Sequence, residues 1–153
     1  MALINTASLE HAEGTIKEAY DMFMKNLGVI PRPLEMMRAS PAIFDQQLQR
    51  IQYYTDHPTL SFALLSHIRY LVAHNLNYSF CMDFNKLMLK KQGLEDGDIH
   101  KMEADPTKSL LEEKESSMLA FVVKAVKAPS SVDADEINRL KEMGWTDKDL
   151  VDA

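Results

Sequence analysis

The chemistry that this sequence offers centres on one thiol. Cys81 is the only cysteine in the chain and lies in NLNYSFCMDFNKLMLKKQG, residues 75–93, near the start of a predicted helix. A cysteine acts as a nucleophile only as its thiolate, which needs a nearby base, cation or helix N-terminus at neutral pH. The nearest charged residues in the sequence are Asp83 and Lys86. Because free cysteines are also among the most buried residues, Cys81 is either a reactive thiol or a small core side chain.

Two histidines on one predicted helix are the other candidates for chemistry. His67 and His74 are seven residues apart and therefore share a helix face. They are separated by about 10 Å along the axis, which is too far to chelate one metal ion on a straight helix. We predict histidines that are hydrogen-bonded beside a core or at a subunit interface. The sequence predicts no metal site and no cofactor, since it also lacks a Gly-rich phosphate loop and an HExxH motif.

The bulk properties limit the class of protein. The chain has 153 residues, of which 46% are hydrophobic and 26% charged, which predicts a single globular domain over 1–153. A net charge of −6 argues against a nucleic-acid partner, because phosphate binding needs clustered cations. One cysteine and no signal-like N-terminus predict a cytoplasmic location. The most apolar run, 60–76, contains Arg69, which predicts a buried helix and no membrane span.

The elements that must position these residues are helices. Every long segment has helical periodicity and none alternates like a strand, so the sequence predicts an all-α bundle of about eight helices. Ser8 and Ser40 are predicted N-caps, Gly93 a helix stop, and Asp133 and Thr146 the starts of the last two helices. Four of the predicted helices span 9–27, 41–54, 60–76 and 79–92.

Two segments resemble one known family. NYSFCMDFNKLMLKKQGL, residues 77–94, resembles the signature of the AhpD-like, carboxymuconolactone decarboxylase superfamily, in which a helix leads into Cys-x-x-Cys-x-x-x-His and a turn ending in Gly-Leu. Residues 113–153, which begin EKESSMLAFVV and include GWTD, resemble the C-terminal region of the same superfamily. The resemblance covers about residues 34–152. It implies an AhpD-like helical bundle that self-associates.

The resemblance also implies roles for four positions. Peroxidase members of the superfamily use a glutamate, two cysteines and a histidine as a proton relay with a redox-active thiol pair. Here Cys81 falls on the second cysteine, whereas the other three positions hold Tyr78 for cysteine, Asn85 for histidine and Ser66 for glutamate. None of these three can do the same work, so an intramolecular dithiol cycle is excluded. His67 adjoins the glutamate position but is rotated by about 100° around the helix.

Three functions remain open from the sequence. The first is a residual thiol-dependent peroxidase, in which peroxide oxidises Cys81 and an external thiol reduces it. The second is a catalytically inactive protein that binds a small molecule or another protein. The third is acid–base chemistry of the decarboxylase type, with a histidine as the proton donor. The predicted pocket is lined by Ser66, His67, His74, Tyr78 and Asn85, and we expect a homo-oligomer.

Overall fold

The computed structural model describes residues 12–153. Within that range the chain forms nine α-helices and short 3-10 turns but no strand, which confirms the all-α prediction. The helices are Gly14–Leu27 (α1), Arg32–Met37 (α2), Pro41–Thr55 (α3), Phe62–Asn75 (α4), Ser79–Lys91 (α5), Asp96–Ala104 (α6), Glu113–Lys127 (α7), Ala134–Glu142 (α8) and Asp147–Asp152 (α9).

The backbone divides into two compact units, Met1–Asp56 and His57–Ala153. The predicted single domain over 1–153 therefore stays a prediction. Among residues 12–153, none of the helices combines the length and the hydrophobicity that crossing a membrane requires.

In the first unit, α1, α2 and α3 surround a small apolar core. The predicted first helix begins later than expected, because Glu13 has extended backbone and α1 starts at Gly14. The predicted cap Ser8 and residues 9–11 lie outside the described part of the chain. Ser40 occupies the predicted N-cap position of α3, but its side chain makes no capping hydrogen bond. The core consists of Ala19, Tyr20, Phe23, Ile30, Leu34 and Phe44.

In the second unit, α4 is the central helix and packs against both α5 and α7. Its sequence explains this position, because apolar residues recur on all sides and most of the helix is buried. The side chain of Ser61 caps α4 by accepting a hydrogen bond from the Leu64 amide. The chain then turns at Asn77, whose φ of 56° is left-handed, and enters α5. The helix that carries Cys81 therefore packs beside α4.

The later helices begin and end where the local signals predict. Gly93 follows α5 with a φ of 93°, a conformation that favours glycine. Asp133 caps α8 by accepting from the Glu136 amide. Thr146 and Asp149 form a complete capping box at α9, since each side chain bonds the other residue's backbone amide.

Candidate functional site around Cys81 and the buried face of α4

Cys81 lies in the first turn of α5 as a free, partly buried cysteine. Backbone N–H groups at the start of a helix have no partner within the helix, and they attract negative charge. Tyr78 precedes the helix and is 61% exposed. The thiol is thus placed at a helix start close to the surface, with a solvent-facing phenol one turn before it.

The side chains of Ser66 and Asn85 are buried and hydrogen-bonded to their own helices. The Ser66 hydroxyl donates to the Phe62 carbonyl at 2.7 Å. The Asn85 amide donates to the Cys81 carbonyl at 2.8 Å. Neither side chain can take up a proton near neutral pH, so neither can act as a general base for Cys81.

His67 is a buried, neutral imidazole. The ring is 2% exposed, and its Nδ1–H donates to the Ala63 carbonyl at 2.8 Å. Burial lowers the pKa of His67 below 6.5, although the bond to Ala63 and the charge of Glu115 act in the opposite direction. In the part of the chain that the structure describes, Nε2 has no hydrogen-bond partner. His67 therefore carries an unused acceptor inside the protein.

His74 belongs to a polar cluster that the sequence did not reveal. Its ring stacks on Tyr70 with the centroids 6.2 Å apart, and its Nε2 lies 4.0 Å from Oε1 of Glu103. The Tyr70 hydroxyl donates to the same oxygen at 2.5 Å, while Nδ1 of His100 lies 2.8 Å from Oε2. We call Tyr70, His74, His100 and Glu103 the Glu103 cluster. It joins α4 to α6.

The electrostatics of the Glu103 cluster keep its carboxylate charged and its phenol neutral. Burial raises the pKa of Tyr70 well above its usual value, and the hydrogen bond to Glu103 adds to the effect. Burial opposes ionisation of Glu103, but hydrogen bonds from Tyr70 and His100 and the charge of His74 outweigh it and lower the pKa. The sequence could show only that two pairs of residues each share a helix face, Tyr70 with His74 at i,i+4 and His100 with Glu103 at i,i+3. Nothing in the sequence showed that the two pairs meet.

The predicted pocket residues differ in their exposure to solvent. Ser66, His67 and Asn85 are buried, whereas Tyr78 faces solvent and His74 is partly exposed. Grooves of about 390 Å³ and 340 Å³ lie elsewhere, the first on α1 and α3 and the second along α7. In residues 12–153, no group of three or more His, Cys, Asp or Glu side chains is arranged to hold a metal ion.

Comparison with known proteins supports the fold. The chain is similar to the crystal structure of an uncharacterized peroxidase-related protein from Silicibacter sp. TM1040, with a TM-score of 0.74 over 89% of this chain and 72% of that chain. The two sequences are 16% identical, so the likeness establishes the fold alone. No family model and no curated protein sequence matches the chain. The chain therefore has the all-helical fold of a peroxidase-related protein, consistent with the AhpD-like bundle expected from its sequence.

Proposed function

We propose that this protein is a thiol-dependent peroxidase in which Cys81 reduces a hydroperoxide. The observation that carries the proposal is the position of the thiol, which is partly accessible in the first turn of α5. The peroxidase-related protein of the same fold supports it. Because the family's base and partner thiol are absent, the reaction depends on Cys81 and on an external reductant.

The proposed cycle balances with two external thiols. The Cys81 thiolate attacks one peroxide oxygen, the O–O bond breaks, the alcohol leaves after protonation, and sulfur becomes sulfenic acid. One external thiol attacks this sulfur, releases water and forms a mixed disulfide. A second external thiol then attacks that disulfide, which restores Cys81 and leaves an oxidised reductant. Since Tyr78 has no sulfur, the resolving thiol comes from outside, and we propose the reducing cytoplasm as its source.

A peroxide-consumption assay with dithiothreitol tests the proposal. We expect turnover by the wild-type protein and none above background by Cys81→Ser, which keeps a small polar side chain. Tyr78→Phe is the matched control, because it alters the exposed residue one turn away and should keep the activity. Trapping with dimedone should label wild-type Cys81 after peroxide. Equal rates for wild type and Cys81→Ser, or alkylation by iodoacetamide no faster than free cysteine, would show that the thiol is not catalytic.

A second candidate is a catalytically inactive binding or assembly protein of this fold. It is favoured by the hydrogen bonds of Ser66 and Asn85, which use these polar groups within their own helices. This candidate predicts an inert thiol in the assay above. Binding of a small molecule that is lost in Tyr78→Ala would support it.

We also propose that the protein forms a homo-oligomer through the surface around Cys81. Leu76, Tyr78 and Phe80, near the turn between α4 and α5, and Leu87, farther along α5, are each more than 40% exposed. Exposed apolar side chains that gather on one surface favour association. Sedimentation should show an oligomer for the wild type and smaller species for Phe80→Glu, while Leu110→Glu, at another exposed apolar residue, should leave the assembly unchanged. A monomeric wild type contradicts this proposal.

A further inference from the structure

A groove of about 340 Å³ lies along one face of α7, and we call it the α7 groove. Its lining positions on the helix are spaced i, i+3, i+4 and i+7, so they follow one another along the same face. At a rise of 1.5 Å per residue they span about 10 Å. The 3-10 turn Pro106–Lys108 and the residue after α7 complete the wall. The lining residues are Pro106, Ala120, Val123, Lys124, Lys127 and Ala128.

The wall of the α7 groove is mostly hydrocarbon. The side chains of Pro106, Ala120, Val123 and Ala128 carry no hydrogen-bonding group. The amide of Ala128 is also used, because it donates to the Lys124 carbonyl at 2.8 Å and ends the helix. A volume near the lower end of the range of ligand pockets, about 300–1,000 Å³, fits a small molecule. The body of a ligand in this groove must therefore be small and apolar.

The two lysines of the α7 groove differ in their ion pairs. Nζ of Lys124 lies 2.6 Å from Oε2 of Glu136 on α8. Lys127 is exposed and, within residues 12–153, makes no salt bridge. Both lie in the last turn of α7, where ammonium groups offset the partial negative charge of the helix end. An anionic head group at this end of the groove would therefore find its counter-ion in Lys127.

The groove on α1 and α3 has the opposite charge. Its volume is similar, about 390 Å³, and aliphatic side chains such as Leu48 and Ile51 contribute to its wall. Among the described residues that line it, Glu18 alone is charged, and Glu18 makes no salt bridge in that part of the chain. The two grooves are thus alike in size and differ in the sign of their charge, so they should select ligands of opposite charge.

We propose that the α7 groove binds a medium-chain aliphatic carboxylate. The hydrocarbon chain lies on Pro106, Ala120 and Val123, and the carboxylate pairs with the ammonium of Lys127. An extended chain of eight carbon atoms, with C–C bonds of about 1.5 Å, spans most of the groove. The site is independent of Cys81, because it uses neither the thiol nor a residue of the proposed peroxidase cycle.

Titration of ¹⁵N-labelled protein with octanoate, followed by amide chemical shifts, tests the site. We expect saturable shifts at residues 120–128 and none at residues 15–22, which line the other groove. Hexanoate should bind about fourfold more weakly, because two fewer methylene groups are buried. Octyltrimethylammonium has the same chain length and the opposite charge, so it should bind at residues 120–128 at least fivefold more weakly than octanoate.

A charge-removing variant tests the role of Lys127. Lys127→Met keeps an unbranched side chain, so the Kd for octanoate should rise about twofold to fivefold, the effect of losing an exposed ion pair. Lys91→Met is the matched control. Lys91 is also exposed in the last turn of a helix, α5, and makes no salt bridge among the described residues. This control should leave the Kd unchanged.

Three results would overturn the proposal. Octanoate shifts that do not saturate, or that centre outside residues 120–128, would show that the groove holds no site. An unchanged Kd in Lys127→Met would show that the carboxylate is not recognised there. Shifts at residues 120–128 with phosphatidylglycerol vesicles, but no saturable shifts with octanoate, would identify the groove as a surface that contacts anionic membranes instead.

Discussion

The hydroxyl of Tyr70 on α4 donates a 2.5 Å hydrogen bond to Oε1 of Glu103 on α6. The two residues are 33 positions apart, and the acceptor oxygen is also 4.0 Å from Nε2 of His74. This bond joins the helix before Cys81 to the helix after it. The Glu103 cluster therefore connects α4 and α6, the helices before and after α5 in the chain.

Removing the hydroxyl of Tyr70 tests how much this hydrogen bond contributes to stability. Tyr70→Phe keeps the ring and its stacking on His74 but leaves Glu103 without its short hydrogen bond. A hydrogen bond to a charged group contributes about 1.5–3 kcal/mol, so we expect the free energy of unfolding in urea to fall by roughly that amount at pH 7. Tyr78→Phe, at an exposed tyrosine that precedes α5, is the control and should change little. If Tyr70→Phe and the wild type have the same free energy of unfolding, this hydrogen bond does not stabilise the protein.

The acid stability of the protein should depend on Glu103. The pKa of Glu103 is below its usual 4.5 in the folded protein, so the unfolded chain binds more protons at pH values between the folded and unfolded pKa. The stabilisation is present above pH 4.5 and is lost as the pH falls through the folded pKa. Glu103→Gln should therefore unfold with a shallower dependence on pH below about 4.5 than the wild type. Urea titrations at pH 6, 4.5 and 3.5 measure this slope, and identical slopes would contradict the prediction.

His67 should contribute a pH dependence in a different range. Its pKa lies below 6.5 because burial disfavours the imidazolium, so the unfolded chain takes up the proton first as the pH falls. The stability associated with neutral His67 is complete above pH 6.5 and declines as the pH falls towards the folded pKa. His67→Leu removes this titration and the unpartnered Nε2, so stability at pH 5.5 relative to pH 8 should improve over the wild type. Retention of the wild-type ratio would show that His67 does not titrate on unfolding.

Substitution of one buried residue in each unit tests whether the two units unfold as one cooperative domain. Phe44 in the first unit and Met118 in the second are both fully buried. Truncation of either to alanine should cost about 2–5 kcal/mol. For a single domain over 1–153, each variant shifts the same single transition in thermal unfolding. Two transitions, of which Phe44→Ala moves only one, would show that the units unfold separately.

The helices were accessible from the sequence because their signals are local. Apolar periodicity predicted 79–92 for α5, which spans Ser79–Lys91, and 60–76 for α4, which spans Phe62–Asn75. The start of α9 was predicted at Thr146 from Thr146 and Asp149, which are three positions apart. The start of α1 was predicted too early, since apolar periodicity reports which face a helix would bury and not where the backbone enters it.

The sequence by itself determined that this chain is all-α and that its one thiol lies at the start of a helix. Only the tertiary structure decided what surrounds the titratable groups. Tyr70 meets Glu103 across 33 residues and His57 meets Asp152 across 95, and no periodicity encodes such pairs. The burial of each histidine is also decided by the packing of distant helices. His67 and His74 lie on one helix, but packing isolates His67 from water and leaves His74 partly exposed beside the carboxylate of Glu103. A histidine's charge depends on that environment, which forms only when distant helices pack together.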